Sequence, residues 1–493
     1  MKKKYRPWDT DRTYLLPPST RDWLPEGHLA GFILDVVSEL DLSAIEKPIQ
    51  AKDPRGERPY DPRMMVALLL YGYANGVFSS RRLEHATWTD LGARFIAAET
   101  HPHFTTINSF RLVHHEALAA LFLQILRLCE KAGLVSLGHV AIDGTKIQAN
   151  ASKHKAMSYD RMKATEARLQ AEVDALLAEA DAVNKAEDEE FGDSDGSGIP
   201  EELRRRETRK ERIRQARLAL EEEAKAARRL ALEEQGKRAR ERAAEADDPK
   251  AAKRLERHAE RREQLAADIE ARPEETIPGA GDELPFHKVK HDKHGVPKPK
   301  AQRNFTDPES RIMESGGSYL QAFNCQVAVA ESYQVIVAQV LTNQPPDYEH
   351  LIPLLEQTRT NLDAYPEVLT ADAGYWGEEN GQFCEDRGID TYISTRRRKH
   401  REHHDREDEA RPPPPPSAKT ERGKAMEEKV MSDAGREQYA KRKWVVEPVF
   451  GQVKEARGFR RFHLRGLHKT RSEFSLVCTG HNLLKLWRHG PAK

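Results

Sequence analysis

Apolar positions recur every three to four residues through the first 135 residues. Leu29, Phe32, Ile33, Val36, Val37 and Leu40 share one face of a helix. In "YDPRMMVALLLYGYANG", Asp61 is a candidate N-cap and Pro62 occupies the first helical position. Ser80 and Thr106 are expected to cap two further helices, and Gly133 to stop the second. Capped helices joined by short turns predict a compact bundle.

The period changes at "HVAIDGTKIQANAS", residues 139–152. The apolar run Val140–Ile142 is short and β-branched, and predicts a strand that ends at Gly144, with Asp143 as its last side chain. Between about 155 and 275 the chain is nearly all Ala, Glu, Lys, Arg and Leu, with opposite charges in reach of i+3 and i+4 pairing. "GDSDGSGIP" (192–200) and "DDPK" (247–250) break this segment. It predicts two or three long antiparallel helices whose apolar positions are too sparse for a deep core.

Strand patterns then return. "YLQAFNCQVAVAE" (319–331) and "YQVIVAQVLT" (333–342) predict a hairpin with a short connection of at most two residues. "DYEHLIPLLEQTRTNL" is an amphipathic helix, and "PEVLTADAGYW" a buried strand that ends in Asp372. "EENGQFCEDRG" predicts a helix and "IDTYISTRR" a strand. A solvated linker with Pro412–Pro416 follows, and the C-terminal stretches are helical in pattern. There is no internal repeat.

Composition adds little to this picture. A length of 493 residues implies two or three domains. Lys plus Arg and Asp plus Glu are each 80, so net charge does not select a partner. The four cysteines form no CxxC pair and fit a reduced compartment without structural zinc. No apolar run reaches the roughly 18 residues of a membrane span. The basic start "MKKKYRPWDT" has no apolar stretch after it. The expected location is the cytoplasm, in association with the nucleoid.

Without the charged segment, the order is strand, strand, strand, helix, strand, helix, strand, helix. That is the order of a ribonuclease H-like α/β fold, a mixed sheet with flanking helices whose carboxylates meet at one end. The candidates are Asp143, Asp372 and Glu447. Hard divalent ions take oxygen ligands. Two of them about 4 Å apart can activate a hydroxyl and stabilise a leaving oxygen.

"AIDGTKIQANAS", "NQPPDYEHLIPLLEQT", "LTADAGYWGEEN" and "YAKRKWVVEPVFGQVKEARGFRRFHLRGLHKTRSEFSLVCTGHNLLKL" resemble the bacterial insertion-sequence DDE transposases. The helical N-terminal region resembles their usual N-terminal domain. The resemblance implies metal-dependent DNA strand cleavage and strand transfer at terminal inverted repeats. It implies Asp143, Asp372 and Glu447 as catalytic and metal-binding residues. It further implies two Mg²⁺ ions, replaceable by Mn²⁺. The implied partners are double-stranded DNA, as inverted repeats and target, and further copies of the chain in a homodimer or higher oligomer. The family's signature around the glutamate is matched by Tyr439, Arg442, Glu447 and Lys454. Lys443 stands at the more common spacing, so Arg442 and Lys443 are both candidates for the phosphate. Pro448 disfavours helix at Glu447 and predicts a kink or a restart there, with Pro448 as the first residue of the next helix.

Arg457, Arg460, Arg461 and Arg465 lie in a basic segment, with Phe459 and Phe462 interleaved, and are candidate phosphate contacts. Asp347, Glu378 and Glu379 read as surface or cap residues. The clusters at His101 and His103, and at His400, His403 and His404, lack metal spacing. Arg81, Arg82 and Arg111 are candidates for DNA contact from a helix-turn-helix-like element.

The expected organisation has three parts: a helical DNA-binding region over 1–135, a catalytic domain from 136–154 and 301–493, and a charged, coiled-coil-like arm over 155–300. The arm reads first as a solvated helical hairpin, with dimerisation or DNA-backbone contact as other uses. Two alternatives stay open: a nuclease of the same fold that cuts without joining, and a DNA-binding or scaffold protein derived from a transposase.

Overall fold

The computed structural model describes residues 19–51, 58–191, 201–395 and 420–490. The break at 192–200, the proline run and the histidine cluster at 400–404 lie outside the described residues.

The N-terminal region folds as α1 (Leu29–Glu39), α2 (Ser43–Gln50), α3 (Pro62–Ala74), α4 (Ser80–Thr89), α5 (Leu91–Ile96), α6 (Phe104–Val113) and α7 (His115–Lys131). Asp61 caps α3 as expected, accepting the Arg63 amide at 2.7 Å, with Pro62 in the first turn. Every residue of α3 from Met65 to Ala74 is buried, which marks it as the central helix of the bundle. Two expected caps move. The N-cap of α4 is Ser79, one residue before Ser80, and α6 starts at Phe104 after the cap His103, not at Thr106. The stretch from Thr105 to Lys131 is not one helix. It bends by 75° between α6 and α7, because α7 turns to lie along the C-terminal helix α18 (Leu467–His489). Among the described residues no single helix is long and apolar enough to cross a membrane.

The main sheet contains β1 (His139–Gln148), β4 (Arg311–Ser315), β5 (Ser318–Ala330), β6 (Ile336–Thr342), β7 (Val368–Ala371) and β8 (Asp390–Ile393); the short strands β2 (Ala156–Ser158) and β3 (Gln302–Asn304) pair apart from it. The order across the sheet is β6, β5, β1, β7, β8, with β4 extending the β6 edge along the start of β5. β1 and β6 run antiparallel to β5, and β7 and β8 run parallel to β1. This is the mixed sheet expected of a ribonuclease H-like fold.

Two details differ from the sequence expectation. β1 does not end at Gly144; it continues to Gln148, because Gly144–Gln148 find antiparallel partners in Gln326–Ala322. The turn after β5 is longer than two residues, since β6 starts only at Ile336. The Gln334 side chain in that turn donates to the Trp444 carbonyl and accepts from Lys485, which ties the turn to the C-terminal helices.

α12 (Leu351–Leu362) and α13 (Glu378–Asp386) follow β6 and β7. α18 packs on α3 and α7 on one side and on β6 on the other. A single apolar core therefore runs through bundle and sheet, from Leu29 to Leu486. Gly480 allows the close approach, since a Cβ there would lie 3.1 Å from the Tyr73 carbonyl carbon. Arg111 belongs to this joint and not to a DNA-reading surface. It is buried, donates to Tyr73 Oη and the Phe78 carbonyl, and lies 3.9 Å from the fully buried Glu473. Arg81 and Arg82 are exposed.

The charged segment forms α8 (Tyr159–Phe191), α9 (Glu201–Ala244) and α10 (Pro249–Ala267), followed by the one-turn helix α11 (Pro273–Thr276). These do not stack as one arm. α9 is a bar about 66 Å long at 1.5 Å per residue. α8 pairs with its N-terminal half, through Glu166–Arg217 and Glu172–Arg206. α10 pairs with its C-terminal half, through Arg240–Glu263. The middle of α9 rests on the sheet: buried Glu223 forms ion pairs with Arg303 of β3 and Arg311 of β4. β2 and β3 pair antiparallel where the chain leaves for the arm and returns.

Candidate active site

Asp143 and Asp372 meet through sheet register. The last parallel pair of β1 and β7 is Ile142 opposite Ala371. The next residues are Asp143, which continues in β1, and Asp372, which leaves the strand. Asp372 turns the chain by accepting the Gly374 amide at 2.8 Å. β-strand alternation puts Asp143 and Thr145 on one face and Lys146 on the other. Asp143 is largely buried. Desolvation lifts its carboxyl to about 7; Arg442 opposes the rise, and the nearby Asp372 and Glu447 add to it.

Glu447 arrives from the C-terminal helices. α14 (Glu421–Met431) and α15 (Asp433–Ala440) lead into α16 (Arg442–Val445) and α17 (Glu447–Gly451). The helix restarts, as Pro448 demands, but Glu447 and not Pro448 is the first residue of the new turn. A π-turn over Gln452–Ala456 follows directly, a feature often found at functional sites. Arg442 lies between the acids. Its Nη1 donates to Asp143 Oδ2 at 3.1 Å, and its Nη2 is 3.7 Å from Glu447 Oε1. Tyr439 flanks the guanidinium at 5.7 Å. Of the two signature cations, Arg442 therefore enters the site, whereas Lys443 is exposed. Lys454 reaches the same face, donating to Thr145 Oγ1 and the Lys146 carbonyl.

The opposite face carries a network that the sequence reading missed. Asp347 stands at the N-cap of the 3-10 turn Tyr348–His350, but its side chain makes no cap bond and turns to the strands instead. Its Oδ1 accepts from Lys146 Nζ at 2.8 Å, Asn324 Nδ2 at 2.9 Å and Gln326 Nε2 at 2.7 Å. Burial pushes this carboxyl up, but Lys146 and the amides outweigh it and hold the pKa below the ordinary value. The fully buried Tyr375 hydroxyl donates to Gln326 Oε1. The signal was present: Asn324 and Gln326 are amides within the otherwise apolar run Ala322–Ala330, and buried amides need partners. Glu378 and Glu379 are exposed, as read.

The basic segment after the π-turn is irregular, not helical. Gln148 bridges to Arg461, and the Phe462 amide donates to the Gln148 carbonyl at 2.9 Å. Phe459 and Phe462 are buried, which turns Arg460, Arg461 and Arg465 outward. Arg457 is a correction to the phosphate-contact set. Its guanidinium points inward, to the Val477 carbonyl at 3.3 Å and His481 Nδ1 at 3.4 Å, and burial lowers its pKa to about 10. His101 and His103 serve locally, bonding Thr87 and capping α6.

Residues 288–483 match the family model described as Transposase DDE domain, and residues 18–112 match the one described as Transposase domain (DUF772). The chain belongs to the insertion-sequence DDE transposases. Searches of curated proteins and of solved structures found no match. Asp372 and Glu447 of this transposase lie inside the matched DDE range, whereas Asp143 lies in neither matched range. The arm separates β1 from its sheet partners in sequence, and only the strand register returns Asp143 to them.

Members of the family use divalent metal ions. Among the described residues no three acidic, histidine or cysteine side chains already converge on one point. The donor chemistry nevertheless fits a hard cation. A carboxyl lifted to about 7, with two further carboxylates near it, is a site short of positive charge. Arg442 supplies part of that charge.

Proposed function

We propose that this transposase cuts and joins DNA at the terminal inverted repeats of an insertion sequence, with Asp143, Asp372 and Glu447 as its catalytic acids. The observation that carries the reading is the register of β1 and β7, which makes Asp143 and Asp372 lateral neighbours at the end of their pairing. The three carboxylates would hold two Mg²⁺ or Mn²⁺ ions, whose chemistry is to activate the attacking hydroxyl and neutralise the leaving oxygen.

The chain's own residues do the rest. Asp143, desolvated beside two acids, takes its charged form when a cation is near, so the site assembles only in the loaded protein. Arg442 orients Asp143 and Glu447 beforehand and is placed to turn to the scissile phosphate, flanked by Tyr439. Lys454 steadies β1 at Thr145 and lies within reach of the same phosphate; Lys443, exposed, contacts the flanking strand. Lys146, locked to Asp347, braces β1 from behind. Arg460, Arg461 and Arg465 hold neighbouring phosphates. Water attacks the phosphodiester at the repeat end and releases a 3′-hydroxyl, which then attacks a target phosphodiester and displaces its 3′-oxygen. The organisation proposed is a helical region over 1–135, a catalytic domain over 136–154 and 301–493, and an insertion over 155–300.

The test is purified protein with labelled inverted-repeat DNA and Mg²⁺. Joined product supports the reading. Cleaved product alone makes the chain a nuclease, and bound but uncut DNA makes it a scaffold.

A further inference from the structure

The arm carries a surface that its own chain does not neutralise. Several cations of α9 have carboxylate partners: Arg206 with Glu172, Arg217 with Glu166 and Glu221, Lys225 with Glu222, Arg229 with Glu233. Arg228, Arg238 and Arg242 have no such partner among the described residues, and neither do Arg204, Arg209 and Arg212, which are set apart by where they lie. The latter three are exposed. They line a trough of about 1230 Å³ between α9 and the β2–β3 pair, together with His154, Lys155 and Phe305. No aspartate or glutamate lines it.

This trough continues toward the acids. His154 also lines a second groove, whose walls include Lys146, Lys153, Lys454, Arg460 and Arg461 and again no acid. Lys146 and Lys454 are the same side chains that brace the two faces of β1 next to Asp143. A path of cationic side chains thus runs from the candidate active site, past Lys153 and His154, onto the N-terminal half of α9; Lys146 and Arg460 on it are paired with Asp347 and Glu455, so its net charge comes from Lys153, Lys454, Arg461 and the α9 arginines. Such a cluster of like charges is unfavourable in the free protein and becomes favourable against a polyanion. Equal totals of acidic and basic residues in the chain make its one-sided sign a matter of placement, not composition.

We propose that this trough binds the sugar-phosphate backbone of double-stranded DNA next to the segment held in the active site, so that the arm is a second, sequence-independent DNA clamp. The inference rests on the transposase reading above. Arg204 and Arg212 are eight residues apart, two turns of helix, so their cations stand about 12 Å apart along α9. That spacing lets them contact separate phosphates along one strand, with Arg209 between them. Phosphate contact of this kind positions the duplex and reads no bases.

The experiment compares binding of two duplexes ending in the same inverted repeat, of about 12 and about 30 base pairs; at 3.4 Å per pair only the longer one extends well beyond the active site. The trough variant is Arg204→Ala with Arg209→Ala and Arg212→Ala. A charge-matched control replaces Lys237, Arg238 and Arg242, which are exposed on the other half of α9, by alanine. Alanine keeps helix propensity, so both variants should retain parent circular dichroism. Each lost phosphate contact should flatten the slope of log affinity against log salt by about 0.9. The expected result is a slope smaller by about 2.7 for the trough variant on the long duplex, no change on the short one, and no change for the control. Equal slopes for parent and trough variant on the long duplex, or equal losses in both variants, overturn the clamp. Parent protein that binds neither duplex would instead overturn the transposase reading on which the clamp rests.

Discussion

Arg442 donates to Asp143 at 3.1 Å and so stands as the counter-ion of the most strongly desolvated carboxyl in the candidate site. Because it also approaches Glu447, one guanidinium partly offsets the repulsion among three acids. Arg442→Gln should therefore leave a site with greater need of a cation. Half-maximal thermal stabilisation by Mg²⁺ should shift to a several-fold lower concentration, while strand cleavage falls because the phosphate loses its positioning group. A Mg²⁺ midpoint that rises, or stays put, would separate Arg442 from the cation site.

Asp143→Asn keeps the shape of the side chain and removes the charge. Cleavage of inverted-repeat DNA should drop by several orders of magnitude, with binding unchanged within a few fold. Asp372→Asn and Glu447→Gln should behave alike. A folded Asp143→Asn protein that cleaves at the parent rate would remove Asp143 from the chemistry.

The same substitution makes a pH prediction in the metal-free protein. The folded-state pKa of Asp143 is raised, so the folded chain binds a proton that the unfolded chain has lost. Stability from this group is intact below the ordinary pKa of 3.8 and is lost as pH rises to about 7. Melting temperatures of Asp143→Asn relative to the parent should therefore climb between pH 4 and 7 and level off above. Added Mg²⁺ should raise the melting temperature of the parent but not of the variant, and chelation should reverse it.

The basic segment divides by side-chain direction. Arg460→Ala with Arg461→Ala should flatten the salt slope of DNA binding by about two and leave the melting temperature near the parent's. Arg457→Ala should do the opposite, because its guanidinium serves the Val477 carbonyl inside the protein. Loss of slope in the Arg457 variant without loss of stability would return that residue to the DNA surface.

The arm is anchored by one buried acid. Glu223→Ala leaves Arg311, itself buried, without its carboxylate. A buried charge stripped of its partner costs about 3–5 kcal/mol, so the melting temperature should fall by several degrees. Replacing residues 160–275 by a Gly/Ser linker removes Glu223 as well. It should destabilise the core unless Arg311→Met is introduced with it. A deletion that is as stable with Arg311 as with Met would show that the ion pair is not the anchor.

Much of the fold was legible in the chain. Helix caps such as Asp61, the apolar periods and the strand runs follow from local backbone and side-chain preferences, which act over a few residues. Asp143 and Asp372 stood out because a carboxylate after an apolar strand is costly without a purpose, and Glu447 because the stretch around it resembles the family's signature. The charged helices were equally plain, since pairing at i+4 needs no tertiary partner.

Tertiary structure decided what depends on neighbours distant in sequence. β1 runs past Gly144 only because β5, beyond the arm, offers partners. Asp347 is a bracing residue only because Lys146, Asn324 and Gln326 converge on it from β1 and β5. Arg457 and Arg111 looked like surface cations, yet burial turns them to carbonyls and acids inside the core. Charge and periodicity are properties of the chain; which charge meets water, which meets another charge, and which two aspartates become neighbours are properties of how the strands align.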